Sequence, residues 1–347
     1  MPHVTLRNGT RFDAERGVTL LDAAIGRGLA LEHSCRTGRC GSCKARVAAG
    51  TAAPLRAQTA LSRDELAQGW VLTCTHEATS DIALDIEDLG QLAGLSPRIV
   101  PTRIDRLELL APDVLRVVLR LPPTAGFRFL AGQSIALTSP AGVVRSYSIA
   151  SAASAPAALE LHVRRVDDGR FSAWWFDEAR VGDLLRFHGP LGTFFLRSTD
   201  GLDLVFLATG TGIAPIRAML MQLAQAPAGE RPRSVALYWG GRGAQDHYID
   251  PRPMLDGLRY VPVLSRAAVP IGGAQGHVQE ALMRDVVRGA APGWGTMAVY
   301  ACGSEAMIED ARRTLAGAGL PAGRFHSDAF VSSEPNASAT PQAEQQP

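Results

Sequence analysis

Four cysteines constrain this chain more than any other feature. Cys35, Cys40 and Cys43 lie on one short loop reading Cys-Arg-Thr-Gly-Arg-Cys-Gly-Ser-Cys, with four and then two residues between them, and thirty residues separate Cys43 from Cys74. This is the spacing of a plant-type [2Fe–2S] loop, in which a compact rhomb takes three thiolates from a wrapped loop and one from the opposite side. Gly38, Gly41 and Ser42 suit such a loop, because backbone must pass within hydrogen-bonding reach of the sulfurs and larger side chains would obstruct it. The competing reading is structural zinc, which ordinarily uses two short knuckles; here only Cys40 and Cys43 make one.

At 347 residues the chain is too long for one ordinary core and is expected to form two or three domains. A net charge of +1 provides no bulk attraction to nucleic acid or to an anionic membrane, and binding to nucleic acid is not expected. The N-terminus, Met-Pro-His-Val-Thr-Leu-Arg, lacks the charged and apolar regions of a secretory signal, and no run approaches the ~18 apolar residues of a membrane span. A soluble, cytoplasmic protein is therefore expected. With four cysteines assigned to a cluster, Cys302 alone offers no basis for a disulfide framework.

Along the chain, residues 3–7 and 10–12 read as strands around Asn8-Gly9, and a helix begins at Leu20 with Thr19 as its N-cap and Gly26 and Gly28 as its end. The cluster loop follows. Then come a strand over Lys44–Ala48, helical signals around Ser62–Gln68, a strand carrying Cys74, and an alternating strand over 81–87. This order predicts a β-grasp ferredoxin-like domain over 1–95, ending in a Gly90–Pro97 linker. From Ile99 the segments 102–110, 113–121, 134–138, 145–151 and 159–166 are short, β-branched and divided by turns, as in an antiparallel β-barrel; the domain is expected over 96–199, with one helix at Phe171–Ala179. From Asp203 strands (204–208, 234–240, 259–265, 296–302) alternate with helices (212–225, 277–287, 304–318), which predicts a doubly wound parallel sheet over 200–331. The polar stretch 332–347 reads as a disordered tail. The whole is a multidomain chain combining α+β and α/β classes.

Three motifs in the later domains carry chemistry. Arg145-Ser146-Tyr147-Ser148 ends a barrel strand: a guanidinium for a phosphate, a ring to stack and a hydroxyl for the redox-active edge together suit a flavin. Gly169-Arg170-Phe171-Ser172 opens the barrel's helix, whose free N–H groups and Ser172 suit a pyrophosphate; an ordinary helix cap reads the same way. Gly189-Pro190-Leu191-Gly192 is expected as a tight turn before a strand at Thr193–Leu196. In the last domain, Gly210-Thr211-Gly212-Ile213-Ala214-Pro215 stands between strand and helix, where backbone can approach a dinucleotide pyrophosphate. Pro215 falls in the first helical turn, where Pro is tolerated. Tyr238-Trp239-Gly240-Gly241-Arg242 ends the next strand, the usual place for adenosine ribose contacts. Cys302-Gly303-Ser304 ends a later one, where Cys302 stands either against a nicotinamide or as a small buried residue.

In this order the motifs resemble the ferredoxin-NAD(P) reductase superfamily, in the branch with an N-terminal plant-type ferredoxin domain, over residues 1 to about 331. The resemblance implies that Cys35, Cys40, Cys43 and Cys74 ligate a [2Fe–2S] cluster. It further implies that Arg145, Ser146, Tyr147 and Ser148 bind FAD with Gly169 and Ser172 at its pyrophosphate, and that Gly210, Thr211, Gly212, Pro215 and Gly240 bind the nicotinamide nucleotide with Cys302 and Gly303 facing its ring. Ser148 and Cys302 are the expected catalytic pair. Within this branch the runs Gly-Trp-Val-Leu-Thr-Cys (69–74), Asp-Ile-Glu-Asp-Leu-Gly (85–90) and Phe-His-Ser-Asp-Ala-Phe (325–330) look most like CDP-6-deoxy-3,4-glucoseen reductases, a family that assists the 3-deoxygenation step in dideoxysugar synthesis. Reductase components of multicomponent oxygenases share the same motifs. Many reductases of the superfamily end on an aromatic residue covering the flavin, whereas this chain continues past Phe330.

The expected function is electron transfer from NAD(P)H through FAD and the cluster, one electron at a time, to a partner protein: a deoxysugar dehydratase or an oxygenase component. A redox-sensing module holding the same groups is the reading of another class. NADH is favoured over NADPH, since Asp246 and Asp250 would repel a 2′-phosphate although Arg242 would attract one. His33 and Arg39 flank the cluster loop as candidates for docking the partner or as solvated surface.

Overall fold

The computed structural model describes residues 1–154, 157–268 and 271–330; the expected tail at 332–347 lies outside the described residues. The first unit holds β1 (His3–Leu6), β2 (Arg11–Asp13), α1 (Leu20–Gly26), β3 (Lys44–Ala49), β4 (Ala52–Pro54), α2 (Arg63–Ala67), β5 (Trp70–Leu72), β6 (His76–Ala78) and β7 (Ile82–Leu84). Its main sheet runs β2-β1-β7-β3-β5, with β1 and β7 parallel and the other pairs antiparallel. Thr19 caps α1 by accepting from the Asp22 N–H, and Ser62 and Glu65 form a reciprocal capping box on α2. Gly28 takes φ +77° and returns the chain toward the cluster loop. Cys74 lies in the turn between β5 and β6 rather than in a strand. The turn carries Cys74 inward, and both neighbouring threonines are buried with it.

The second unit is antiparallel throughout: β8 (Arg98–Ala111), β9 (Val114–Arg120), β10 (Ser134–Thr138), β11 (Val144–Ser148), β12 (Ala158–Arg164), α3 (Arg170–Asp177) and β13 (Leu184–Leu191), in the order β11-β10-β13-β8-β9-β12. Phe127, Phe187, Phe171 and Trp175 fill it. The expected turn at Gly189–Gly192 is a correction: Gly189 to Leu191 extend β13, and Thr193–Leu196 is buried but irregular. The backbone there is satisfied from outside a ladder, since Arg197 Nη2 donates to the Thr193 carbonyl at 2.9 Å.

The third unit holds β14 (Asp203–Thr209), α4 (Ile213–Gln225), β15 (Ser234–Gly241), β16 (Arg259–Leu264), β17 (Ala274–Gln275), α5 (Val278–Val287), β18 (Met297–Ser304), α6 (Glu305–Gly317) and β19 (Phe325–Phe330). All its strands are parallel, in the order β17-β16-β15-β14-β18-β19. Leu204, Phe206 and Ala208 of β14 pack with α4, while Val205 and Leu207 face the side covered by α5 and α6. Burial on both faces is why β14 reads as an unbroken apolar run. Edge strand β19 is not among the strands expected from the sequence, and its polar residues His326, Ser327 and Asp328 do not stand free at the edge. They are covered by the cluster loop of the first unit.

Candidate functional site

The cluster loop wraps Gly38 against Thr75, Ala57 and Gln58, so closely that a Cβ at Gly38 would lie 2.9 Å from the Thr75 methyl. Both Gly38 (φ +77°) and Gly41 (φ +70°) use backbone that side chains strain. The four thiols fall into two pairs. The Cys43 and Cys74 sulfurs stand 3.3 Å apart, and the Cys35 N–H points at the Cys40 sulfur at 3.5 Å. Thiol-to-thiol hydrogen bonding draws Cys35 down to about 4 and lowers Cys74, while it pushes Cys40 and Cys43 up. Among the described residues no three His, Cys, Asp or Glu side chains converge as a mononuclear ion would require. Two thiol pairs, with the Thr37 N–H also directed at the Cys35 sulfur at 3.4 Å, fit a binuclear cluster whose irons take two thiolates each. Of the four, only Cys35 is not buried.

One side of this loop is sealed by the rest of the molecule. Thr193 clamps His33, accepting from its N–H at 2.8 Å and donating to its carbonyl at 2.7 Å. Ser34 donates to Asp328 at 2.6 Å, Ser42 donates to the Ser327 carbonyl at 3.3 Å, and Arg39 pairs with Glu305 at the start of α6 at 3.3 Å. His33 and Arg39 thus work inside the molecule. The loop face left open carries Arg36 and Thr37, and Arg56 beyond.

Arg145 and Ser146 stand exposed on β11, Tyr147 is half-buried and Ser148 is buried at the strand's end. Trp175 donates to the Tyr147 hydroxyl at 3.0 Å, which fixes the ring edge-on to Phe171. Among the described residues the Arg145 guanidinium makes one hydrogen bond, to the neighbouring Val144 carbonyl, leaving its fork available to a phosphate. Helix α3 starts at Gly169 with no side-chain cap, so its first N–H groups are open to an anion. Ser172 holds that corner together: its hydroxyl donates to the Gly169 carbonyl at 2.9 Å and accepts from the Val166 N–H at 3.1 Å. These residues fit FAD.

A cleft of about 890 Å3 opens between barrel and parallel sheet. Gly210, Thr211 and Gly240 line it, as do Arg242, Asp246, Ser304 and Phe330. Arg164 and Asp113 enter from the barrel, which spacing alone did not single out. Arg164 pairs with Asp246 and with Asp113, each at 3.2 Å. Burial alone would raise the Asp246 carboxyl, but the Gly243 and Arg242 N–H groups and Arg164 hold it below the usual range. Gly212, Pro215, Cys302 and Gly303 do not line the cleft: Pro215 is buried in α4, and Gly212, Cys302 and Gly303 pack against one another and Thr209 behind it. A Cβ on Gly212 would lie 2.1 Å from the Cys302 carbonyl, and one on Gly303 2.1 Å from the Thr209 hydroxyl. The Cys302 thiol is fully enclosed, and burial pushes it up. A hollow of about 1290 Å3 lies on the barrel beside Ile99 and Leu184 and touches none of these residues.

The sites are joined. Ser148 is opposite Ser134, Ser134 is opposite Leu191, and two residues beyond Leu191 is Thr193, clamped to His33 beside Cys35.

Comparison with known proteins agrees with this division. Residues 4–79 match the 2Fe-2S iron-sulfur cluster binding domain, 101–196 the oxidoreductase FAD-binding domain and 206–313 the oxidoreductase NAD-binding domain. The chain is 39% identical over 334 residues to the CDP-6-deoxy-L-threo-D-glycero-4-hexulose-3-dehydrase reductase of Yersinia pestis, covering 94% of this chain and 97% of that one. It is 32% identical to the reductase component of propane 2-monooxygenase from Rhodococcus jostii, over 90% of this chain and 86% of that one. A crystal structure of an Amycolatopsis cytochrome P450 reductase superposes with a TM-score of 0.68 at 32% identity, covering 95% of this chain and 99% of that one. Identity sustained through all three units, together with the two thiol pairs and the cleft between barrel and parallel sheet, means that the chain belongs to the ferredoxin-NAD(P) reductase superfamily in its ferredoxin-bearing branch, as an NAD(P)H-dependent electron-transfer oxidoreductase with FAD and a [2Fe–2S] cluster.

Proposed function

We propose that this chain draws electrons from NADH and delivers them singly, in the cytoplasm, to a dehydrase acting on a nucleotide-linked deoxysugar. The nicotinamide supplies an electron pair as hydride, the flavin accepts pairs and releases single electrons, and the cluster carries one at a time. The residues position these groups. Gly210, Thr211 and Gly240 admit the dinucleotide backbone to the cleft, while Cys302 and Gly303 set the floor behind the nicotinamide end. Arg145 and the open start of α3 take the flavin's pyrophosphate, Ser172 shapes that corner, Ser146 and Tyr147 border the ring, and Ser148 orients the hydride-accepting edge. The partner meets the face where Cys35 is accessible, between Arg36, Thr37 and Arg56.

The observation carrying this reading is the continuous contact from Ser148 through Ser134, Leu191 and Thr193 to His33 and the cluster loop. Anaerobic NADH titration followed by visible absorbance tests it. Flavin and cluster bands should bleach together; flavin bleaching while cluster bands persist for minutes would show that the relay is wrong, and no change in either would leave a sensing module as the better reading.

The choice of NADH rests on Asp246, an ionised carboxylate lining the cleft beside Arg242, because its charge opposes a 2′-phosphate. A tenfold or larger preference for NADPH in kcat/KM would overturn it. The choice of a dehydrase rests on the Yersinia reductase, which is more similar than the propane 2-monooxygenase reductase. An oxygenase component is the second reading, favoured by that relative and by the P450 reductase fold match. Identifying the protein that reoxidises the reduced cluster decides between them.

A further inference from the structure

Arg312 lies on α6, in the nucleotide-binding unit, yet its guanidinium is directed at the back of the cluster loop. Its Nη2 donates to the Ser327 hydroxyl at 2.8 Å, and Ser327 Oγ stands 3.4 Å from Ser42 Oγ, between Gly41 and Cys43. Ser42 belongs to the cluster loop itself, two residues after Cys40 and next to Cys43. Arg312 is half-buried: its guanidinium stacks over Phe325 at 4.8 Å, and its enclosed Nε has no partner among the described residues. A cation partly withdrawn from water in this way is costly to keep unless it serves something nearby. Glu32 is the acid with the largest effect on it, but Glu32 already contacts His326 at 3.4 Å and Arg197 at 4.0 Å.

We propose that Arg312, acting through Ser327 and Ser42, raises the reduction potential of the cluster across the interface between units. The proposal rests on the cluster assignment made above. A guanidinium can only donate, so the Ser327 hydroxyl accepts from Arg312 and has its own proton available to Ser42, whose proton is in turn available to the thiolates flanking it in the loop. A metal-bound thiolate would be a charged acceptor and would outcompete the Ser327 carbonyl for the Ser42 proton. Reduction adds one electron and no atom, so it adds one negative charge, and a positive charge held behind the loop and relayed through these hydroxyls would stabilise the reduced form more than the oxidised one. Arg312 is a positioning and tuning residue; it touches no iron ligand itself. Because Arg312 and Ser327 sit on one unit and Ser42 and Cys40 on another, the cluster is an easy electron acceptor only while its loop is docked on β19 and α6.

A redox titration of the holoprotein, with mediators and with the reduced cluster followed by electron paramagnetic resonance, reads this directly. Arg312→Gln should disfavour reduction about tenfold, a midpoint lower by about 59 mV for one electron, with the flavin midpoint unchanged. Ser327→Ala and Ser42→Ala should each disfavour it about threefold, and neither should add to Arg312→Gln in a double variant, since all three cut one chain. Ser42→Thr keeps the hydroxyl and should restore the original midpoint. If the serine variants leave the midpoint unmoved while Arg312→Gln shifts it, Arg312 is only a counterion of Glu32 and the relay is overturned; if none shifts it, the tuning role is overturned. Should Arg312→Gln fail to assemble, the serine variants decide. Absence of cluster bands in the unaltered protein would instead refute the cluster assignment.

Discussion

The cluster loop and the nucleotide cleft solve opposite problems. At the loop, four side chains must reach metal, so the ligands crowd one curve of backbone and three of the four thiols are buried. At the cleft, a large polar ligand must be admitted to backbone, so the residues that matter most are those without side chains, and Gly210 and Gly240 border an opening of about 890 Å3. The loop uses side-chain chemistry in a local segment. The cleft uses absence of side chains, gathered from strands 30 or more residues apart and completed by Arg164 and Asp113 of the barrel. Substitution should therefore act in different ways at the two sites: removal of an atom should be damaging at the loop, and addition of an atom should be damaging at the cleft.

The largest effect expected is at the loop. Cys40→Ser exchanges one ligand sulfur for oxygen and should reduce electron delivery to cytochrome c by about a hundredfold or more, with ferricyanide reduction at the flavin nearly intact; equal loss of both activities would break the distinction between exit and entry sites. Next is Gly212→Ala, where the added methyl meets the Cys302 carbonyl at 2.1 Å. We expect a loss of about 1–3 kcal/mol in urea unfolding and a raised KM for NADH, while Cys302→Ala, which only trims a floor residue, should change kcat by less than about threefold. A large kcat loss in Cys302→Ala would instead give the thiol direct contact with the nicotinamide.

Asp246→Ala sharpens the cleft side alone. It frees Arg242 from the loop that Asp246 ties through its contacts to the Arg242 and Gly243 N–H groups at 2.7 and 3.1 Å. kcat/KM for NADPH should rise relative to NADH by about tenfold, the equivalent of ~1.4 kcal/mol, and cluster reduction by dithionite should be unaffected. The smallest effect concerns the joint between barrel and nucleotide unit, where burial holds His162 below its usual value although Glu160 partly opposes this. A depressed histidine stabilises the fold above its unfolded pKa, ~6.5, and that contribution is lost as pH falls below it. The thermal midpoint should thus decline between pH 7 and 5.5, and less steeply in His162→Gln. An unchanged slope would remove His162 from that dependence.

The loop was legible because its information is local. Cys35, Cys40, Cys43, Gly38 and Gly41 lie within nine residues, and the spacing of the thiols is itself the geometry of the ligands. Strand and helix alternation after Asp203 was legible for a similar reason, since a strand buried on both faces must be apolar throughout. What escaped was whatever depends on a surface becoming an interface. His326, Ser327 and Asp328 are polar, yet they form a strand covered by Ser34 and Ser42 of another unit. Thr193–Leu196 looked like a strand because it is apolar, but its Thr193 hydroxyl and carbonyl are taken up by His33 and Arg197.

The amino-acid sequence by itself thus determined the metal-binding loop, the two nucleotide motifs and the order of three units, because each rests on residues close enough along the chain to fix one another's geometry. Only the tertiary structure decided that His33 and Arg39 hold units together, that the Cys302 thiol is enclosed behind the cleft, and that Arg312 stands behind the cluster loop. Those relations join residues as far apart as Arg39 and Glu305, 266 positions along the chain. Such contacts are selected by the packing of whole surfaces and leave no periodic trace in either segment.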